Sequence, residues 1–125
     1  MINKYFPLPL VVRHIDGVFW ELMRPFKYCP DEGDVIIVPP KFIFDFASIP
    51  RIFWTFIGSP TGPYGPAALI HDWLYHTQTT KRYQADKIFY TIMRLLGIKR
   101  WRASIMYFAV RATGWIFWDK RRRLL

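Results

Sequence analysis

The segment Ala67 to Tyr75, AALIHDWLY, sets His71 beside Asp72 in a run otherwise made of alanine, leucine, isoleucine, tryptophan and tyrosine. Such a run belongs in a core, where a carboxylate or an imidazole is costly unless its polar atoms find hydrogen-bond partners. Any fold this chain adopts must therefore bring partners to these two side chains. The surrounding pattern suggests from where. A helix is expected near Pro66 to His76, a turn at Thr77 to Thr80, and a second helix near Lys81 to Leu96, stopped by Gly97. His71 lies six residues before the turn and Asp86 six after it, so an antiparallel pair would set them level. Asp86 borders the apolar stripe of the second helix, together with Phe89, Tyr90 and Met93.

A carboxylate level with a histidine can hold one ring N–H and leave the other nitrogen as a base aimed outward. Tyr75, one turn after His71, is placed to bond the same carboxylate. Asp72 is rotated by about 100° from His71 and points beside the pair. There it can meet the loop of residues 58–66, GSPTGPYGP, whose carbonyls suit a hard cation such as calcium. A purely structural arrangement uses the same groups: His71 bonded to a backbone carbonyl, Asp72 to loop amides, and Asp86 paired with Lys81, Arg82 or an arginine of the last helix.

Around this hairpin the chain reads as α+β. The first third, about residues 7–46, carries β-branched and aromatic runs on either side of Asp16-Gly17 and of Asp31 to Asp34, predicting an antiparallel β-meander of about four strands closed by FIFDF. The helical part, about 48–118, begins with a short helix for which Ser48 serves as N-cap, Pro50 sits in the first turn and Gly58 is the stop. It ends with an amphipathic C-terminal helix from about Lys99 to Trp118, followed by a basic tail at 119–125. The whole 125 residues fit one domain.

Hydrophobic residues make up 52% of the chain and aromatics 19%, compositions that favour a packed core over disorder. Eighteen Lys and Arg against nine Asp and Glu give a formal charge of +9, which favours anionic partners. One cysteine, Cys29, excludes an intrachain disulfide and a cysteine-rich zinc site, and reads as a small strand residue. Met1 to Leu10 lacks the pattern of a secretory signal, and the longest apolar run, Ala103 to Trp118, is short of a spanning helix. His71 and His76 diverge too far on a helix to share a zinc ion, and His14 reads as an exposed strand or turn residue. Asp45, Ser48 and His71 offer the residue types of a nucleophile triad, without the G-x-S-x-G elbow; Asp45 is otherwise a candidate second metal carboxylate. The last helix and tail interleave Trp101, Trp115, Phe117 and Trp118 with arginines and lysines. That mixture suits either a membrane interface or a packed helix with a solvated tail. No signature of sequence-specific nucleic-acid binding is present.

Three motifs in order, FDFASIPRIFW, GSPTGPYGPAALIHDWLY with ADKIF, and WRASIMYFAVRATGW, resemble a family of short bacteriophage and prophage proteins of unknown function. HDWLY is also similar to the HDxxY core of phospholipases A2. That second resemblance implies a calcium-dependent lipid ester hydrolase acting at the host cell envelope. His71 would be the general base, Asp86 the carboxylate orienting it, Tyr75 the hydrogen-bonding tyrosine, Asp72 a calcium ligand, and Gly62 and Gly65 the calcium loop. The loop spacing departs from that family's pattern. The implied partners are anionic phospholipid or, in the alternative of a catalytically silent tail or virion component, other phage virion proteins. The implied location is the phage particle or the infected host cell.

Overall fold

The computed structural model describes residues 3–58 and 60–124. Met1, Ile2, Ser59 of the Gly-rich loop and Leu125 of the basic tail lie outside the described residues. The architecture is α+β, with antiparallel strands first and helices after, in two compact units, 1–45 and 46–125.

The first unit holds five short strands: β1 (Val12–Asp16), β2 (Phe19–Leu22), β3 (Phe26–Tyr28), β4 (Ile36–Val38) and β5 (Ile43–Phe44). Both expected hairpins form, β1 with β2 across Gly17 and β3 with β4 across the Asp31 to Asp34 turn. The expected single meander does not. The strands make a three-stranded sheet in the order β1-β2-β5 and a separate two-stranded sheet β3-β4. Residues of FIFDF pair back with β2, Trp20 opposite Phe44 and Glu21 opposite Ile43, and so bypass the intervening hairpin. Phe6 stacks on Phe26 and Tyr28, and all three are buried. Cys29 falls just past β3, where its N–H bonds the Tyr5 carbonyl. His14 is exposed on β1, against the Trp20 ring and the Gly17 carbonyl.

The second unit begins with a tight turn, a 3-10 turn at Arg51–Phe53 and the short α1 (Trp54–Ile57). Then come α2 (Gly65–Thr77), α3 (Arg82–Leu95), α4 (Arg100–Thr113) and α5 (Trp115–Leu124). α2 is apolar nearly all round, and every residue from Gly65 to Asp72 is buried, as expected of a central helix. α3 packs antiparallel to it across the short connection after Thr77, where Gln78 takes the left-handed conformation. The Lys81 N–H bonds the Gln84 side chain and fixes the start of α3. The predicted last helix is two, divided at Gly114, and the predicted basic tail is helical as far as Leu124. The hairpin turns follow from local sequence; the glycine at position 114 answers to a neighbour. A Cβ there would lie 2.3 Å from the Tyr75 hydroxyl and 2.5 Å from the Val110 carbonyl oxygen.

Gly65 is constrained more severely, since a Cβ at this position would stand 1.6 Å from the carbonyl oxygen of Pro60. Its own N–H closes a turn onto the Gly62 carbonyl. Gly65→Ala is therefore expected to cost about 2 kcal/mol or more through forced backbone movement. Urea denaturation checks this, and an unchanged midpoint would contradict the close approach.

Candidate functional site

The polar residues of α2 find their partners inside the second unit. His71 Nε2 lies 2.7 Å from Asp86 Oδ1 on α3, the level pairing expected from the spacing. Tyr75 donates its hydroxyl to the same oxygen at 2.7 Å. The other oxygen, Oδ2, receives Arg111 from α4 at 2.9 Å and Arg82, one turn before Asp86, at 3.4 Å. Arg82 also donates to the Val110 and Arg111 carbonyls at 3.2 Å, near the C-terminal end of α4. The His71 ring is flanked by those of Tyr75 and Phe89, with centroids 4.4 and 4.6 Å away. His71, Tyr75 and Asp86 thus come together as one cluster on α2 and α3.

The second nitrogen of His71 is not aimed outward. Its Nδ1 lies 3.0 Å from the hydroxyl of Ser48, and that hydroxyl donates to Asp72 Oδ1 at 2.7 Å. Ser48 is not the N-cap expected of it. The residue preceding the 3-10 turn is Pro50, in an extended conformation, and no side chain caps it. Ser48 lies instead in the turn of residues 46–49, closed by the Ile49 N–H on the Phe46 carbonyl at 3.0 Å. Phe46 opens that turn with φ of +60°, a left-handed conformation that is strained for an aromatic residue. Its N–H donates to Asp72 Oδ2 at 2.8 Å. Asp72 therefore braces the turn from both ends, through a backbone amide and through Ser48. The sequence offers Ser48 with His71 and Asp45 as residue types of a nucleophile triad, and as an N-cap, but gives no signal for Phe46. Pro50 carried a signal: the residue before a proline is steered away from helical angles, so the helix cannot begin at Ile49 and Ser48 stands too far upstream to cap it.

Exposure increases from 0% at His71 and Asp86 to 4% at Ser48 and 8% at Asp72, so the serine and its carboxylate are the outer members of the network. The electrostatics favour an ionised Asp86 beside a neutral His71. Burial alone would raise the Asp86 carboxyl; the hydrogen bonds from His71, Tyr75 and Arg111 outweigh it and hold the carboxyl below its usual 3.8. For His71 burial is the larger effect and lowers it from 6.5, against the pull of Asp86, while the charge of Arg82 adds to the lowering. Burial and the Asp86 charge hold the Tyr75 phenol well above its usual range. An ionised carboxylate only accepts, so His71 carries its proton on Nε2 and keeps Nδ1 bare. The single proton of Ser48 then faces two acceptors, Asp72 and Nδ1. A small rotation of the hydroxyl moves it from one to the other.

The expected calcium ligands hold hydrogen-bond partners within the chain. Both oxygens of Asp72 accept hydrogen bonds, the Gly62 carbonyl accepts the Gly65 N–H, and Gly65 belongs to α2. Among the described residues, no group of three or more His, Cys, Asp or Glu side chains is placed to hold a metal ion. The carboxylate on His71 Nε2 is Asp86. His76 is exposed at the end of α2, where Arg121 of α5 bonds its carbonyl and ring.

His71 also makes stability depend on pH. Its folded value lies below 6.5, so its contribution is complete above 6.5 and declines as the pH falls below 6.5, where the unfolded chain takes up a proton first. The slope approaches about 1.4 kcal/mol per pH unit for one such group. His76, lowered by burial and by Arg121, adds in the same direction. Urea midpoints measured just below pH 6.5 are expected to fall for the wild type and to flatten in His71→Gln; parallel profiles would contradict a neutral buried His71.

A family model described as "Protein of unknown function (DUF1353)" matches residues 20–110. Two similar relatives are both from Sinorhizobium fredii (strain NBRC 101917 / NGR234). "Uncharacterized protein y4jT" is 36% identical over 96 residues, 76% of this chain and 29% of the relative. "Uncharacterized protein y4iH" is 38% identical over 73 residues, 56% of this chain and 30% of the relative. The matched part thus spans less than a third of each relative. No solved structure matches the chain.

Proposed function

Because the chain belongs to the DUF1353 family of unknown function, its chemistry has to come from its own residues, and we propose that it is an acyl-ester hydrolase with Ser48 as nucleophile and His71 as general base. The observation that carries this reading is the continuous relay from Ser48 Oγ to His71 Nδ1 at 3.0 Å and from His71 Nε2 to Asp86 Oδ1 at 2.7 Å. A hydroxyl becomes a useful nucleophile when a bare nitrogen takes its proton and a carboxylate stabilises the resulting imidazolium. Asp86 suits that task, since four donors keep it ionised and fixed. The left-handed backbone at Phe46, next to the turn that presents Ser48, is the kind of strain that functional sites retain.

In this reaction Ser48 Oγ bonds to the acyl carbon while its proton passes to His71 Nδ1. The ester C–O bond breaks, and the imidazolium returns that proton to the leaving alkoxide. Water then bonds to the acyl carbon as His71 Nδ1 takes one of its protons, the acyl–Oγ bond breaks, and the imidazolium returns that proton to Ser48 Oγ, freeing the acid. Asp72 holds the resting hydroxyl and surrenders it when the Ser48 proton turns to His71. Lipid esters are the first substrates to assay, following the HDxxY resemblance. The attacking group of that resemblance, a water on the outer nitrogen of the histidine, is replaced here by the serine hydroxyl, and no step is routed through calcium.

The test is labelling by a fluorophosphonate probe, which reports an activated serine. The expected result is modification at Ser48, abolished in Ser48→Ala, reduced by about a hundredfold or more in His71→Gln, and unaffected by a chelator. Calcium-dependent labelling would bring back the metal role of Asp72. A folded protein that takes no label would favour a second reading, for which complete burial of His71 and Asp86 speaks. In that reading the network is structural, in a virion or tail component of the phage kind that the sequence motifs resemble.

A further inference from the structure

We propose that α4 and α5 form a docking surface for an anionic phospholipid membrane, an inference that uses none of the residues of the Ser48 relay. α4 turns Ala103, Met106 and Val110 inward, all buried, and leaves its opposite side without a partner among the described residues. On that side Trp101, Ile105 and Phe108 are 55%, 45% and 67% exposed, and Trp115 and Ile116 of α5 are 53% and 48% exposed. Trp101, Phe108 and Trp115 stand seven positions apart, a spacing that returns to nearly the same side of a helix. Gly114, between the two helices, keeps right-handed helical angles, and the Trp118 N–H bonds the Gly114 carbonyl, so the turns run on across it. The result is an exposed apolar stripe about four turns long.

Charge selects the occupant. Residues 99–125 hold eight Lys or Arg against one acidic residue, Asp119. Of these, Arg111 and Arg121 are engaged within the unit, while Lys99, Arg100, Arg102, Lys120, Arg122 and Arg123 are exposed. Arg102 also lies over the Trp101 ring, 5.2 Å from its centroid. A second copy of this chain would bring the same positive charge to the contact and be repelled. Nucleic acid would neutralise the arginines and leave Ile105, Phe108 and Ile116 with nothing apolar to meet. An anionic lipid surface satisfies both, with rings and aliphatic chains at the headgroup boundary and cations on phosphate. No helix among the described residues is long and apolar enough to cross a membrane. The stripe fits a helix pair lying on the surface.

Co-sedimentation of the full chain with vesicles tests this. Vesicles of phosphatidylcholine mixed with phosphatidylglycerol are expected to pellet the protein, pure phosphatidylcholine vesicles to pellet little, and added salt to weaken the binding. The double variant Phe108→Ser and Trp115→Ser changes exposed positions, and its folding is checked by circular dichroism. It is expected to bind at least about tenfold more weakly, and Arg122→Glu with Arg123→Glu to weaken binding as well. Failure to pellet with anionic vesicles, or undiminished binding by the folded double variant, would overturn the proposal. So would concentration-dependent self-association abolished by Phe108→Ser without vesicle binding, because the face would then be an interface between copies.

Discussion

The second unit depends on one carboxylate. Asp86 is completely buried on α3, and its two oxygens collect His71 and Tyr75 from α2, Arg111 from α4 and Arg82 from its own helix. A buried charge is tolerated only when it is paired and fully hydrogen-bonded. Here those requirements become geometry, because each donor arrives from a fixed place on a helix and the three helices are held in register by the demand of one side chain. Gly114 belongs to the same arrangement, since only a residue without a side chain lets the Tyr75 hydroxyl stand where it does.

Fixing Asp86 fixes the proton on His71, and that decides what the outer half of the network can do. With Nε2 donating inward, Nδ1 is left to Ser48. Asp72 then competes with Nδ1 for one hydroxyl proton while its other oxygen anchors the strained amide of Phe46. The same four side chains can therefore lock a turn or activate a serine. The two roles are compatible: a hydroxyl held by a carboxylate at rest is already within reach of its base.

The inner half was legible in the sequence because helix geometry is periodic. Counting outward from the turn placed His71 level with Asp86, and one helical turn placed Tyr75 beside them. An arginine from the last helix was among the weighed partners of Asp86, although nothing local singled out Arg111. The outer half was legible only as residue types, Ser48 with His71, and not as a contact. Ser48 reaches α2 across 23 residues of turn, short helix and loop, with no period to count, and serine before an apolar run reads most simply as a cap. The sheet shows the same division. Each hairpin followed from its turn residues, whereas the pairing of β5 with β2 rests on contacts between distant strands. Charge and aromatics pointed to the last helix, but which side of it is bare became visible only once Ala103, Met106 and Val110 were seen to turn inward.

The proposed chemistry and the inner network both require a neutral His71 protonated at Nε2, with a bare Nδ1 facing Ser48. Long-range proton–nitrogen correlation spectra of the histidine rings, recorded at neutral pH on nitrogen-labelled protein and assigned with His71→Gln, read this directly. The expected result is a His71 ring with a protonated Nε2 and an unprotonated Nδ1 that is still neutral where an ordinary histidine begins to take up a proton, near pH 6.5. An imidazolium at neutral pH, or a proton on Nδ1 alone, would contradict it.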